Sequence, residues 1–180
     1  MSVAYCLSSD RPDSEAFRDA MAQLAGGVAV VACLDAGAPR GLLVSSLVSL
    51  SVEPPRVLFC VQKRTPSHPA LLRADRCSSL AILGQDDFEE AQRFSTRSRA
   101  AERFSRDAWR LEPGEPPHYT RAMVNLAGRI CNRMDAGSHS VFVLEVEAIG
   151  HRDGEPLVYF GRSYRTLAAR LLDLAESLPG

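Results

Sequence analysis

The sequence predicts a mainly β fold, a small barrel with peripheral helices, built as one domain. Several short apolar runs, rich in valine, are closed by turn residues, as in small barrels. Segments with helical periodicity are few, and they do not alternate with the strands as a parallel sheet requires. The 180 residues suffice to bury the core of one domain. We expect a loose arm over 1–14 and a single domain over 15–180.

The first predicted element is a helix over about 13–24. Asp13 or Ser14 can cap it, because the side-chain oxygen of either residue accepts hydrogen bonds from the first-turn N–H groups. Three apolar residues at helical spacing are expected to form its inner face, namely Phe17, Met21 and Leu24. Two glycines, Gly26 and Gly27, end the helix.

Seven apolar runs predict strands at 28–34, 40–50, 56–61, 79–83, 122–134, 141–149 and 157–160. The run over 28–34 is wholly apolar, which is typical of a strand covered on both faces. Glu53-Pro54-Pro55 ends the second strand, because proline cannot donate to a ladder. Tight connections join the first three strands, so we expect them to form an antiparallel meander.

Three further helices are predicted over 69–75, 86–94 and 164–178, and residues 95–118 are expected to be part helix and part loop. The helix over 86–94 begins with two acidic pairs, Asp86-Asp87 and Glu89-Glu90. We interpret these pairs as a solvated helix start, because carboxylates that act as general acids or bases need burial.

Charge and composition disfavour several classes of protein. The chain has 21 Lys+Arg and 22 Asp+Glu, whereas nucleic-acid-binding domains usually carry a strong basic excess. No stretch approaches the ~20 apolar residues of a membrane-spanning helix, and the start of the sequence lacks a secretory signal pattern, so we expect a cytoplasmic protein. The five cysteines and four histidines are scattered, which argues against a disulfide framework and against a metal site.

Three common motifs are missing from the sequence. No Gly-x-Gly-x-x-Gly opens a helix, no Gly-x-x-x-x-Gly-Lys-Ser/Thr occurs, and no Gly-x-Ser-x-Gly elbow is present. A Rossmann dinucleotide site, a P-loop nucleotidase and a serine hydrolase are therefore disfavoured.

The most informative segment lies over 41–58. A strand there carries the adjacent hydroxyls of Ser45 and Ser46, a Pro-Pro break follows, and a second apolar strand begins. Hydroxyl and backbone donors at one strand end suit a phosphate or a ribityl chain. The serines by themselves favour the alternative, an ordinary serine-rich edge strand.

This segment resembles the flavin reductase-like family, the FMN-binding split barrels. The resemblance rests on Gly41, Ser45-Ser46, Ser49-Leu50-Ser51 and Pro54-Pro55, and it covers about 15–167. It continues in further motifs in the family's order, which are Phe17-Arg18-Asp19-Ala20-Met21, Ala81-Ile82-Leu83, Gly137-Ser138-His139-Ser140 and Pro156-Leu157 with Tyr164. In the third of these, Ser138 stands where the family usually has aspartate.

The resemblance implies a Greek-key split β-barrel that forms a homodimer, with flavin at the dimer interface. It implies an NAD(P)H:flavin oxidoreductase that transfers hydride from NADH or NADPH to FMN or FAD. Such a protein would supply reduced flavin to a partner monooxygenase. Hydride transfer between two stacked rings needs no strong protein acid or base, which agrees with the lack of a catalytic triad or carboxylate pair.

The resemblance also implies the site. Phosphate and ribityl contacts would come from Ser45, Ser46, Lys63 (the only lysine) and Ser67. Backbone groups would meet the ring edge at Val44, Leu47, Cys60, Val61 and Gln62. Phe94 and Tyr164 would shape the pocket, and His139 would be the catalytic residue on the nicotinamide side. The structural alternatives are an exposed lysine, two core aromatics and a turn histidine.

Other interpretations stay open at this stage. Ser138 motivates a flavin-binding electron carrier or partner subunit without nicotinamide activity. The split-barrel architecture is shared with oxidases of the pyridoxamine-phosphate type, an analogy of fold alone. The arginine-rich stretch over 97–110 could bind nucleotide phosphate, although a solvated helical face is the more common role of such a stretch.

Overall fold

The computed structural model describes residues 11, 13–74, 78–105 and 107–167. Its strands are β1 (Gly26–Gly27), β2 (Ala29–Asp35), β3 (Ala38–Val44), β4 (Val48–Val52), β5 (Pro55–Gln62), β6 (Ser78–Ile82), β7 (Trp109–Arg110), β8 (His118–Tyr119), β9 (Val124–Ala136), β10 (His139–His151), β11 (Val158–Phe160) and β12 (Ser163–Arg165). Its helices are α1 (Ser14–Met21), α2 (His68–Arg73) and α3 (Phe88–Ser95), with 3₁₀ segments at Gln85–Asp87 and Arg97–Glu102. The fold is therefore mainly β with peripheral helices, as predicted.

Seven strands form the main antiparallel sheet in the order β3-β2-β6-β9-β10-β5-β4. The single strand expected over 40–50 is two strands, β3 and β4, which lie at opposite edges of this sheet. The predicted meander was therefore wrong at this point. The chain leaves β3 after Val44 and enters β4 at Val48, so only residues 45–47 carry it from one edge to the other.

Such a short crossover requires the sheet to curl until its edges approach each other. Ser46, within the crossover, accepts a 2.9 Å hydrogen bond from the backbone N–H of Cys60 and donates a 3.2 Å bond to its carbonyl oxygen. These bonds fasten the crossover to β5. In the described part of the chain no ladder joins β3 to β4 or β5, so the closed split barrel stays a prediction.

Two apolar clusters lie on the two faces of β2. Val31 packs inside the curled sheet with Phe59, Leu80 and Phe142, whereas Val30 faces the other way. The outer cluster includes Phe94, Trp109 and Tyr119. The prediction that this apolar strand is covered on both faces is confirmed.

Helix α1 begins as predicted but presents its apolar side to solvent. The side chain of Asp13 caps it by accepting hydrogen bonds from the N–H groups of Glu15 and Ala16. The expected inner face was wrong, because Phe17, Met21 and Leu24 are 57%, 48% and 71% exposed. No described element covers this side of the helix.

The predicted helix over 86–94 does not have the fully solvated acidic start that we expected, because only two of its four carboxylates are exposed. Asp87 and Glu90 are buried, whereas Asp86 and Glu89 are exposed. Asp87 accepts hydrogen bonds from the backbone N–H of Gly84 (3.0 Å) and from the Tyr119 hydroxyl (2.8 Å).

Glu90 forms an ion pair with buried Arg93 and accepts a 2.9 Å hydrogen bond from the indole N–H of Trp109. These partners satisfy the buried carboxylate, which thereby anchors α3 to β7. The anchored helix in turn holds Phe94 in place.

The end of the described chain also departs from expectation. Residues 163–165, at the expected start of a terminal helix, form strand β12, which pairs with β11. The rest of the predicted helix, over 168–178, and most of the arm over 1–14 lie outside the described residues. No helix among the described residues is long and apolar enough to cross a membrane.

Candidate functional site

A cavity of about 620 Å³, which we call the main cavity, opens where β3 ends beside the turn that follows β5. Helix α3, the 3₁₀ segment after it and the β11–β12 hairpin complete the wall. Six of the residues predicted from the sequence line it, namely Val44, Ser45, Gln62, Ser67, Phe94 and Tyr164. Residues from distant segments lie close together here because the crossover brings the end of β3 next to the end of β5.

A hollow of about 270 Å³, the His139 hollow, adjoins the main cavity and shares six lining residues with it, Val44, Ser45 and Gln62 among them. Three more predicted residues line it, namely Ser46, Cys60 and His139. His139 is the first residue of β10 and lies opposite Gln62 in the ladder with β5. Its Nδ1 is 2.9 Å from the hydroxyl oxygen of Ser138.

Leu47, Val61 and Lys63 line neither space. Val61 is fully buried in the inner core, and Leu47 packs against that core. The ammonium of Lys63 lies 2.5 Å from Oδ2 of Asp135, and this hydrogen bond lowers the pKa of Asp135. The only lysine thus has a carboxylate partner on the β9–β10 hairpin.

The hydroxyls of the predicted serines differ in their availability. Ser67 is buried and donates a 2.8 Å hydrogen bond to the carbonyl oxygen of Gly41. Ser46 donates to Cys60, as described above. Ser45 is exposed, and its hydroxyl has no hydrogen-bond partner in the described residues. Only Ser45 among the three therefore has an uncommitted hydroxyl proton.

The main cavity is strongly cationic. Four arginines line it, namely Arg64, Arg97, Arg103 and Arg162, and no Asp or Glu does so in the described chain. Arg162 is paired with Asp19. Arg64 and Arg97 are exposed and have no carboxylate partner within the described ranges. An anionic ligand would therefore be attracted to this space.

Arg103 is held against the wall by backbone carbonyls. Its guanidinium donates to the carbonyl oxygens of Arg93 (3.2 Å), Gly41 (3.0 Å) and Thr96 (3.3 Å). It also lies 5.6 Å from the ring centroid of Phe94. Burial lowers the pKa of Arg103.

The arginines of the stretch over 97–110 thus have different surroundings. Arg97 and Arg103 line the main cavity, whereas Arg99 forms ion pairs with Glu102 and Glu89. Arg110 lies in β7, and Arg106 is outside the described residues.

Sequence reasoning missed Arg64, Thr65 and Arg162 as lining residues. Arg64 follows Lys63 directly at the end of an apolar strand, and that position was its only signal. Arg162 could not have been found, because the segment around it was expected to lead into a helix.

Comparison with known proteins agrees with this arrangement. Residues 21–168 match the model of the flavin reductase like domain. The FMN reductase (NADH) RutF 2 of Methylorubrum extorquens (strain PA1) is 36% identical over 166 residues, which cover 89% of this chain and 95% of that protein. The reductase component of a Rhodococcus opacus 4-nitrophenol 4-monooxygenase/4-nitrocatechol 2-monooxygenase is 31% identical and aligns over 82% of this chain and 78% of its own.

Among solved structures, the NADH:FAD oxidoreductase SgcE6 of Streptomyces globisporus C-1027, in complex with NAD and FAD fragments, superposes with a TM-score of 0.82. The two chains are 25% identical, and the match covers 92% of this chain and 99% of SgcE6. The resemblance found in the sequence motifs is thereby confirmed, and this chain belongs to the flavin reductase-like domain family.

Proposed function

We propose that this protein is an NADH-dependent flavin reductase that transfers a hydride from NADH to FMN or FAD. The observation that carries the proposal is the main cavity, which has apolar walls, exposed arginines and no acidic lining residue among those described. The relatives named above, an NADH-dependent FMN reductase and a monooxygenase reductase component, support the same activity.

The residues of the main cavity fit a flavin mononucleotide. Val44, Phe94 and Tyr164 line the main cavity and supply apolar surface for a ring system. Arg64 and Arg97 offer positive charge without a competing carboxylate, which suits a phosphate. Because Ser46 and Ser67 donate their protons to backbone carbonyls, we assign the phosphate and ribityl contacts chiefly to Arg64, Arg97 and Ser45.

The chain's contribution to the reaction is to bind and orient the reactants. A bound flavin supplies the hydride acceptor, so no protein acid or base of shifted pKa is needed at this site. His139 borders the hollow beside the main cavity, where a nicotinamide would lie next to a flavin held in the main cavity. The 2.9 Å contact between Ser138 and His139 Nδ1 would keep the imidazole in one orientation.

We further propose that the protein acts as a homodimer and passes reduced flavin to a separate monooxygenase. Val48, Leu50 and Val52 in the edge strand β4 are 51%, 48% and 89% exposed. A row of exposed aliphatic residues on an edge strand favours a protein partner over solvent. Sedimentation of wild type and of Val52→Arg tests the dimer, which the variant should weaken.

The activity is tested by mixing the purified protein with NADH and FMN under air and following absorbance at the nicotinamide band. We expect NADH oxidation that depends on FMN, with a lower rate at limiting FMN for Arg64→Ala and Arg97→Ala. Arg110→Ala is the matched control, because Arg110 lies outside the main cavity. Flavin binding without NADH oxidation would instead support an electron carrier, and oxidation independent of flavin would exclude a reductase.

A further inference from the structure

The turn between β5 and α2, residues 63–67, supplies a continuous stretch of the wall of the main cavity. Four consecutive residues of this β5–α2 turn line the cavity, namely Arg64, Thr65, Pro66 and Ser67. Arg64 makes no hydrogen bond or ion pair with another residue in the described part of the chain. The backbone of the turn therefore decides where the guanidinium of Arg64 lies.

Local hydrogen bonds give the β5–α2 turn its shape. Thr65 donates to the carbonyl oxygen of Gln62 from its backbone N–H at 3.0 Å and from its hydroxyl at 2.8 Å. The backbone N–H of His68 donates to the carbonyl oxygen of Thr65 at 3.0 Å. These bonds join residues of one short segment, so they do not determine where the turn lies against the rest of the molecule.

Bonds to distant segments determine that position. At the start of the turn, the backbone N–H of Lys63 donates to the carbonyl oxygen of Ser138 at 3.0 Å, and the ammonium of Lys63 pairs with Asp135. At its end, the hydroxyl of Ser67 donates to the carbonyl oxygen of Gly41 at 2.8 Å. The turn is thus attached to the β9–β10 hairpin on one side and to β3 on the other.

A further attachment is made by the imidazole of His68, the first residue of α2. Its Nε2 lies 2.9 Å from the hydroxyl oxygen of Ser140, and both residues are buried. Ser140 is paired with Val61 of β5 and with Asp135 of β9, so strands on both sides fix its place. A hydrogen bond to such a point is directional, whereas apolar contacts are not.

The surroundings of His68 are otherwise apolar. Its ring packs edge-on against Phe142, with ring centroids 6.0 Å apart, and Ala70 and Leu71 of the same helix belong to the inner core. His68 lines neither the main cavity nor the His139 hollow. An aliphatic side chain would fill this place without the cost of burying a polar ring. The bond to Ser140 is therefore what a histidine provides here.

We propose that His68 is a positioning residue, whose hydrogen bond to Ser140 holds the β5–α2 turn so that Arg64 and Thr65 meet the phosphate of a flavin mononucleotide. The inference rests on the proposed function for the occupant of the main cavity. His68 does not touch the ligand and takes no part in hydride transfer, because it acts through the turn. Its loss should therefore weaken the binding of a flavin that carries a phosphate and spare the binding of the flavin ring.

The test compares FMN with riboflavin, which lacks the phosphate, in titrations followed by flavin fluorescence. We expect wild type to bind FMN more tightly than riboflavin. His68→Leu and Ser140→Ala should each lower the affinity for FMN about tenfold, the size of one lost polar contact, and leave the affinity for riboflavin unchanged. Ser78→Ala is the matched control, because the Ser78 hydroxyl is buried in the same sheet and has no hydrogen-bond partner in the described ranges.

Rescue and coupling distinguish positioning from a merely structural role. His68→Gln should keep most of the FMN affinity, because the amide nitrogen of glutamine stands as many bonds from Cα as Nε2 does and can bond to Ser140. His68→Leu and Ser140→Ala combined should cost no more FMN affinity than either change alone, since both remove the same bond. In steady-state assays, His68→Leu should raise KM for FMN and leave kcat at saturating FMN unchanged.

Three results would overturn the proposal. They are wild type that binds FMN no more tightly than riboflavin, variants that match the Ser78→Ala control with FMN, and an equal loss of affinity for both flavins. The last result would mean that the two residues maintain the fold and not the phosphate contacts.

These titrations also separate this inference from the proposed function. A loss of FMN affinity alone in His68→Leu and Ser140→Ala would support the positioning role even in a protein that never oxidises NADH. Conversely, flavin-dependent NADH oxidation with unchanged FMN affinity in both variants would retain the reductase and remove the positioning role.

Discussion

Arg103 donates a 3.0 Å hydrogen bond from Nη1 to the carbonyl oxygen of Gly41, at the middle of β3. The same carbonyl oxygen accepts the bond from Ser67, so it ties together β3, the turn after β5 and the loop after α3. A Cβ on Gly41 would come within 2.9 to 3.0 Å of Phe104, Phe94 and the carbonyl oxygen of Val31. Glycine is therefore required where these parts of the wall meet.

Replacing Arg103 should affect both stability and binding. Arg103→Gln removes the charge and cannot reach three carbonyls, so we expect a loss of about 1–3 kcal/mol in the free energy of unfolding. Arg103→Lys keeps the charge but not the planar fork, and should restore ligand affinity more than stability. Urea unfolding and FMN titration measure the two effects. Equal stability of both variants and wild type would contradict the role of these bonds.

Gly128 in β9 is a second position where a side chain has no room. A Cβ there would overlap the carbonyl oxygen of Glu145, in the stretch where the ladder between β9 and β10 is irregular. We expect Gly128→Ala to lower the free energy of unfolding by about 1–3 kcal/mol, as overpacking does.

Gly150 provides the matched control in the same hairpin, because a Cβ at Gly150 would have no neighbour within 4 Å. Gly150→Ala should unfold at nearly the wild-type urea concentration. If both variants lost the same stability, the effect would come from glycine replacement in a strand and not from the contact with Glu145.

Much of the fold could be predicted from local patterns. Three predicted features depend only on residues close in sequence, and each is found in the structure. They are strand β2, the Asp13 cap of α1 and the proline in the first turn of α2. The crossover at 45–47 could not be predicted, because alternating serines and aliphatics read as one strand whether or not the strand changes edges. Sheet order depends on pairing between distant segments.

The same distinction holds for the site. The serine segment identified the end of β3, but the arginines of the cavity come from three separate segments. Burial of Glu90 could not be predicted from the sequence either, since its partner Trp109 lies 19 residues away. Local composition cannot show that a carboxylate will meet a distant indole, although it indicated correctly that a helix begins there.

His68 should make stability depend on pH. Its Nε2 lies 2.9 Å from the Ser140 hydroxyl, and burial, followed by the charge of Lys63, lowers the pKa of His68 from 6.5. The unfolded chain therefore binds a proton more readily than the folded one. Stability should be retained above pH 6.5 and fall as the pH drops below it.

His68→Gln should abolish the loss of stability that begins below pH 6.5. A second loss of stability at lower pH should remain, because carboxylates such as Asp135 and Glu145 become protonated there. Their pKa values are lowered chiefly by hydrogen bonds from Lys63 and Arg56, so their contribution disappears as the pH falls further. Unfolding in urea at several pH values measures both components. Exposed His151→Gln is the control, and an unchanged slope just below pH 6.5 in His68→Gln would contradict the assignment.

His139 should affect the nicotinamide step without affecting flavin binding. It borders the His139 hollow with Ser46 and Cys60, whereas the exposed arginines lie at the main cavity. We expect His139→Ala to raise KM for NADH or lower kcat by about tenfold, the size of one lost polar contact, with FMN affinity unchanged. Ser138→Ala removes the 2.9 Å contact to Nδ1 and should give a smaller effect of the same kind, because the imidazole stays but is less fixed. Steady-state rates at several NADH concentrations and FMN titration measure both. Weaker FMN binding in His139→Ala with a normal KM for NADH would place this residue on the flavin side instead.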